Sequence, residues 1–170
     1  MVALTMNGDE ALAWNERALA VANDSTDPLA RRWRTSLYNN IAWTHHESGD
    51  YARALDNFQK ALTESRALDD AEVTHIAKWS VGRALRSLRR HAEALAIQRE
   101  LASEATPADG YVFEEIAENL LALGRGTEST PYFAEAFALL SNDPELAASE
   151  PERIERLRAL AGTSPEAPRE

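Results

Sequence analysis

The chain has 170 residues, 44% of them apolar and 27% charged, which is one domain's worth of ordinary folded composition and excludes a disordered chain. The formal net charge of −10, from 18 basic and 28 acidic side chains, sets up a field that repels nucleic acid and anionic lipid. Cysteine is absent, which excludes disulfides, thiolate chemistry and cysteine-ligated metal.

The expected elements are all helices. Asp9 opens the first, over residues 9–23. Asp27-Pro28 opens the second, over 28–48. Proline at the first helical position loses no hydrogen bond, and the preceding Asp oxygen accepts from an unpaired N–H. Leu29, Trp33, Leu37, Ile41 and His45 recur every fourth place along it, the spacing of one helical face. Gly49 stops it and Asp50 starts a third helix over 51–66, where Tyr51, Ala54, Leu55, Phe58, Ala61 and Leu62 recur at threes and fours. Asp69-Asp70 start a fourth over 70–88, and a fifth spans 91–104. Thr106-Pro107 reads as the start of a sixth over 107–123, with Phe113, Ile116, Ala117, Leu120 and Leu123 on its apolar face and Gly124 at its end. Thr130-Pro131 marks another start, within a helix near 128–141, and a short helical turn follows Asp143-Pro144. Ser149-Glu150-Pro151-Glu152 has capping-box spacing and opens a last helix over 150–161, stopped by Gly162. Residues 162–170, with Pro165 and Pro168, read as a flexible tail. No run alternates with period two, so no strand is expected.

A repeat underlies these helices. Ala11-Leu12 is echoed seven residues on by Ala18-Leu19, Ala54-Leu55 by Ala61-Leu62, Ala94-Leu95 by Leu101-Ala102, and Ser129 by Ala136. The starts are 43, 40 and 35 residues apart, and the last three each follow a long helix and a short break. The repeating unit is therefore a helical hairpin. A hairpin cannot bury its apolar face alone, so hairpins of this kind must stack.

The stretch Leu37 to Leu62 resembles a tetratricopeptide repeat. Tyr38, Ile41, Ala42 and His45 fill the positions of the first helix, and Ala54, Phe58 and Ala61 those of the second, with Gly49-Asp50-Tyr51 as the turn. His45 replaces the usual aromatic. The next unit keeps Val81, Gly82, Leu85, Ala94 and Leu101 and departs at Lys78 and Gln98. The third keeps Phe113, Ile116, Ala117, Leu120, Phe133 and Ala136, with Ser129 in a small-residue place. The resemblance implies a right-handed superhelical solenoid of antiparallel hairpins in one domain over residues 1–161. Its parts would be a half-unit over 9–23, units near 28–66, 70–104 and 107–141, and a capping helix over 150–161.

Catalytic and metal chemistry find no constellation. His45, His46, Glu47 and Asp50 are close in sequence, but His45 continues the core stripe while His46 lies on another face, so they diverge rather than converge on an ion. His75 and His91 are isolated. No Gly-x-Ser-x-Gly elbow is present, and Gly124-Arg125-Gly126-Thr127 lacks the rest of a phosphate loop and its Lys. Asp69-Asp70 reads as a helix start, and nothing gives Glu114-Glu115 a catalytic partner. The expectation is a non-enzymatic protein with no cofactor and no metal.

Charge is unevenly placed. Residues 31–90 carry 11 basic and 7 acidic groups, and residues 91–150 carry 2 and 12. The basic excess centres on Arg83, Arg86, Arg89 and Arg90, with Arg86 and Arg90 four apart on one expected helical face and Glu114 and Glu118 as candidate counter-charges. The resemblance implies a concave groove, lined by the first helix of each hairpin, that takes an extended peptide or protein segment. The groove residues would be Asn39, Trp43 and His46, then Trp79, Arg83 and Arg86, then Glu114 and Glu118. Trp43 and Trp79 serve equally well as packing between hairpins. Asn39 and Arg83 could form part of a carboxylate clamp, while Glu114 and Glu118 stand where such a clamp needs cations, which argues against a chaperone-tail function. The second reading is a scaffold that self-assembles into homo-oligomers through an exposed apolar end. No apolar run approaches the roughly 20 residues of a membrane span, and Met1 to Glu10 lacks a signal-peptide pattern, so a cytoplasmic protein free of membrane and nucleic acid is expected.

Overall fold

The computed structural model describes residues 8–104 and 107–162, and the expected tail beyond Gly162 lies outside them. The chain forms two compact units that divide between Arg89 and Arg90. All elements among the described residues are helices. The first unit holds α1 (Gly8–Asp24), α2 (Pro28–Glu47), α3 (Tyr51–Arg66) and α4 (Ala71–Ser87). The second holds α5 (His91–Glu104), α6 (Gly110–Ala122), α7 (Gly126–Leu140), α8 (Pro144–Ser149) and α9 (Pro151–Leu160).

Aspartates set the starts. Asp27 accepts from the Leu29 N–H at 2.9 Å, Asp50 from Arg53 at 3.1 Å, Asp70 from Val73 at 3.1 Å and Asp143 from Glu145 at 3.0 Å. Each such cap is worth about 1 kcal/mol. Three expected starts are corrected. The sixth helix begins at Gly110 rather than Pro107, because Asp109 takes the cap, accepting from Tyr111 at 2.8 Å. Gly110 is buried there, and a Cβ on it would lie 2.8 Å from Leu140 Cγ, so α6 can meet the end of α7 only without a side chain. The seventh begins at Gly126, and Pro131 sits inside it. The turn is already closed before the proline, since the Arg125 carbonyl accepts from Glu128 and Ser129, and Pro131 forfeits one ladder bond in the second turn. The capping box at 149–152 does not form: Glu150 is the N-cap without a side-chain bond, and the Ser149 hydroxyl turns back to the Leu146 carbonyl.

Gly49, Gly124 and Gly162 end their helices at φ of 82°, 74° and 69°, as their positions predict. Asp69 and Arg89 adopt the same left-handed conformation, at 52° and 60°, without glycine's freedom.

Small residues govern the packing. Ala42, Ala54, Ala61 and Phe58 have no exposure, so α2 and α3 meet closely around one large ring. Ala77, Val81, Ala84 and Leu85 bring α4 onto α3. Arg34 fastens α1 to α2, donating to the Ala22 carbonyl at 3.1 Å and the Ser25 carbonyl at 3.3 Å, which serves the open carbonyl end of a helix whose last turn has no basic residue. In the second unit, Ala117, Phe133, Ala136, Leu140, Leu146, Leu157 and Ala161 form one core, which incorporates α8 and α9.

The conformation of Arg89 generates a stability prediction. A side chain in the left-handed region costs about 1 kcal/mol relative to glycine. Arg89→Gly is expected to raise unfolding free energy by about that amount, and Gly124→Ala to lower it similarly. Urea titrations of the three proteins read this directly; equal midpoints for Arg89→Gly and the parent would refute it.

Candidate functional site

The six candidate residues of the first unit lie on α2 and α4. Asn39, Trp43 and His46 succeed one another at helical spacing on α2, and Trp79, Arg83 and Arg86 on α4. Trp43 is the hub. Its ring lies 6.2 Å from that of Trp79, 5.1 Å from Phe58 edge-on and 5.2 Å from His46. The two tryptophans therefore pack consecutive first helices together, and both stay part-exposed.

Beyond them the helices are tied by a polar cluster. His46 Nε2 lies 2.9 Å from Ser87 Oγ, and Ser87 donates to the Arg83 carbonyl at 3.2 Å while accepting from Arg83 Nη1 at 3.2 Å. The direction of the His46–Ser87 bond is set by the imidazole tautomer, since a hydroxyl can give its one proton to only one acceptor. The Tyr51 ring also meets the imidazole, tilted by 57° with centroids 5.1 Å apart. Burial, then the nearby Arg83 and Arg86 guanidiniums, hold His46 below its ordinary pKa. Arg90, expected on the same face as Arg86, lies past the end of α4 and grips Glu93 with two 2.7 Å bonds in the second unit.

Asn39 opens onto a recess of about 210 Å³ between α2 and α4, lined also by Ser36, Asn40, Val73 and Ile76. Its Oδ1 is buried and has no hydrogen-bond partner, an unmet demand in a protein interior. A second recess of about 310 Å³ continues along the same two helices past Ser36 and Val73 to Trp33 and Arg32. Arg32 is held by Asp70 at 3.1 Å. Ile76 is 50% exposed at the rim.

Glu114 and Glu118 lie on α6, in the second unit. Glu114 receives Arg153 of α9 at 2.5 Å, and Glu118 receives Arg156. These pairs raise the pKa of both arginines, chiefly through the hydrogen bonds to the two carboxylates. Arg153 also stacks its guanidinium over Tyr111 at 5.3 Å. The acidic face of α6 is thus occupied by α9. No group of His, Asp and Glu among the described residues could hold a metal ion, and no described helix is long and apolar enough to cross a membrane.

The sequence reading missed Trp14 and misplaced Trp33 and Leu29. All three are exposed, by 60%, 66% and 65%. Their period matches a core stripe, and among the described residues no further helix covers them.

Residues 2–66 match the sequence model of the tetratricopeptide repeat family. Among solved structures, the chain is similar to a Podosopora anserina protein described as a kinesin light chain with nearly identical TPR-like repeats, at TM-score 0.67 and 15% identity, covering 91% of this chain and 79% of that one. It is also similar to BtubC (BKLC) from P. vanneervenii, at TM-score 0.64 and 15% identity, covering 97% and 78%. No curated protein matches the sequence. The family match is thus confined to the amino-terminal part, and the described residues have the all-α, TPR-like solenoid fold.

The depressed pKa of His46 has a consequence for stability. The unfolded chain binds its proton near the ordinary value of about 6.5, while the folded chain resists until lower pH. Unfolding therefore takes up a proton between those two values, and stability falls as pH drops through that window. His46→Gln is expected to flatten this loss between about pH 7.5 and about pH 5.5. Thermal melts at both pH values test it, and an unchanged loss in the variant would count against the assignment.

Proposed function

We propose that the chain is a non-enzymatic interaction module whose α2–α4 face binds an extended segment of a protein partner. Tetratricopeptide repeats generally mediate protein–protein contacts and are typically non-catalytic. The observation that carries the reading to this face is the unpartnered Asn39 Oδ1 on the paired recesses. Turned into the recess that Asn39 lines, this oxygen would accept from a bound backbone N–H, and the backbone of an extended segment presents such groups at regular intervals.

Each candidate then has a role. Asn39 fixes the backbone, the Trp33 and Ile76 side chains receive apolar side chains, and Trp43 and Trp79 continue the face about one helical turn beyond the recesses. Arg83 and Arg86 make that end of the face attractive to an acidic side chain, and His46, a neutral imidazole held against Ser87, is proposed as a hydrogen-bonding and packing contact beside them. Glu114 and Glu118 belong to the second unit and are proposed separately, as contacts for a cationic group in competition with Arg153 and Arg156.

Selection from a random peptide display library supplies the test. Enriched peptides are expected to bind Asn39→Ala about tenfold more weakly, the worth of one buried hydrogen bond. They should lose nearly all affinity for Arg83→Glu combined with Arg86→Glu, with circular dichroism unchanged. Peptides that bind both variants as they bind the parent would sink the assignment.

A further inference from the structure

The other flank of α2 carries a surface of a different kind. Trp14 and Val21 on α1 and Leu29 and Trp33 on α2 are 60%, 73%, 65% and 66% exposed. They surround a recess of about 490 Å³ whose floor is made by Ala18 and Ala22. On α1 the stripe Trp14, Ala18, Val21 has the spacing i, i+4, i+7, the seam of a helix made to meet another helix. From the recess α1 packs on α2, and among the described residues no third helix covers the seam.

We infer that this surface is the two-fold interface of a homodimer, with α1 of each copy laid into the recess of the other. Three features of the surface select that occupant. The first is chemical. The polar groups of the lining are already engaged: Asp27 caps α2 and Ser25 Oγ accepts from the Asp27 N–H. An extended peptide would leave its own backbone groups unsatisfied there, whereas a helix arrives with them paired. The second is area. Large aromatic side chains carry about 150–250 Å² each, so the four exposed residues present on the order of 500 Å², the upper range for a patch on a lone chain. Two such patches together remove about 1,000 Å² from water, the size at which specific interfaces begin. The third is charge. Residues 1–89 carry 11 basic and 12 acidic side chains, a net of −1, so the unit bearing the patch lacks the repulsion that the whole chain's −10 suggests. The contact is isologous: Trp14 of one copy sits over the Ala18–Ala22 floor of its mate, and the reverse holds.

Sedimentation equilibrium of the 170-residue chain, from about 1 to about 200 μM, tests this. The expected result is a rise from 18.8 kDa towards twice that mass. Trp14→Glu with Trp33→Glu should weaken the dimer at least about a hundredfold while leaving the circular dichroism unchanged. Val21→Lys, at the most exposed of the four positions, gives the same reading should the double variant fold poorly. Asn39→Ala, on the other flank, should dimerise as the parent does, which separates this surface from the peptide face. A chain that stays at 18.8 kDa throughout, or a dimer untouched by these substitutions, overturns the proposal. So does a monomer that dimerises only after residues 1–7 are deleted, since that would make the chain's own first residues the occupant.

Discussion

The close approach of helices through residues without bulk is the constraint from which the rest follows. Ala42, Ala54, Ala61, Ala84, Ala94, Ala117 and Ala136 have no exposure at all, and each sits where a neighbouring helix must come near. A methyl at these places lets backbones draw together while Phe58, Leu101 and Phe133 fill the volume beside them. Gly110 extends the rule to its limit, since even a methyl would collide with Leu140. Such packing uses both sides of a helix. A helix in this arrangement that has a neighbour on one side only keeps an apolar stripe it cannot hide, and among the described residues α1 is in that position.

Charge serves a different purpose in each unit. In the first, ion pairs lie at the surface, between elements as Arg32 with Asp70 or within one helix as Lys60 with Asp56, and exposed pairs of this kind contribute little. In the second, Glu114 and Glu118 are shielded by α9, with side chains only 12% and 14% exposed. The pairs with Arg153 and Arg156 orient α9, while Leu157, fully buried, anchors it. The acidic third quarter of the sequence is thus partly neutralised by arginines some forty residues further on.

Fold was legible where one residue decides a local geometry. The aspartate caps, the glycine stops and the alanine spacing each act within a turn or two, so the helices and their pairing followed from them. Reading failed where two local signals competed. Thr106-Pro107 looked like a start until Asp109, three residues before Val112, took the free N–H groups. Arg89 stands in the left-handed conformation that the sequence signals only with glycine. For the candidate site, residue types and helices were readable from the repeat register, and the Trp43–Trp79 contact fits the packing role they were also given. The empty acceptor of Asn39 was not readable, because it depends on which atoms fail to arrive. Nor was the exposure of Trp14 and Trp33, since a stripe has the same period whether or not a neighbour covers it.

The two flanks of α2 differ in what they can recognise, and the difference is one of backbone accounting. On the α4 side, carboxamides, hydroxyls and guanidiniums alternate with apolar groups, and one buried oxygen lacks a donor. That surface suits a ligand whose own backbone needs partners. On the α1 side the polar groups are already used, and what remains is hydrocarbon and indole. That surface suits a ligand whose backbone needs nothing, which in water means a helix with its ladder closed. Trp33 and Leu29 line recesses on both flanks, so occupancy of one side restrains side chains that shape the other. A helix seated against α1 would hold the Trp33 ring and thereby spare the α2–α4 face part of the entropy of ordering it on binding.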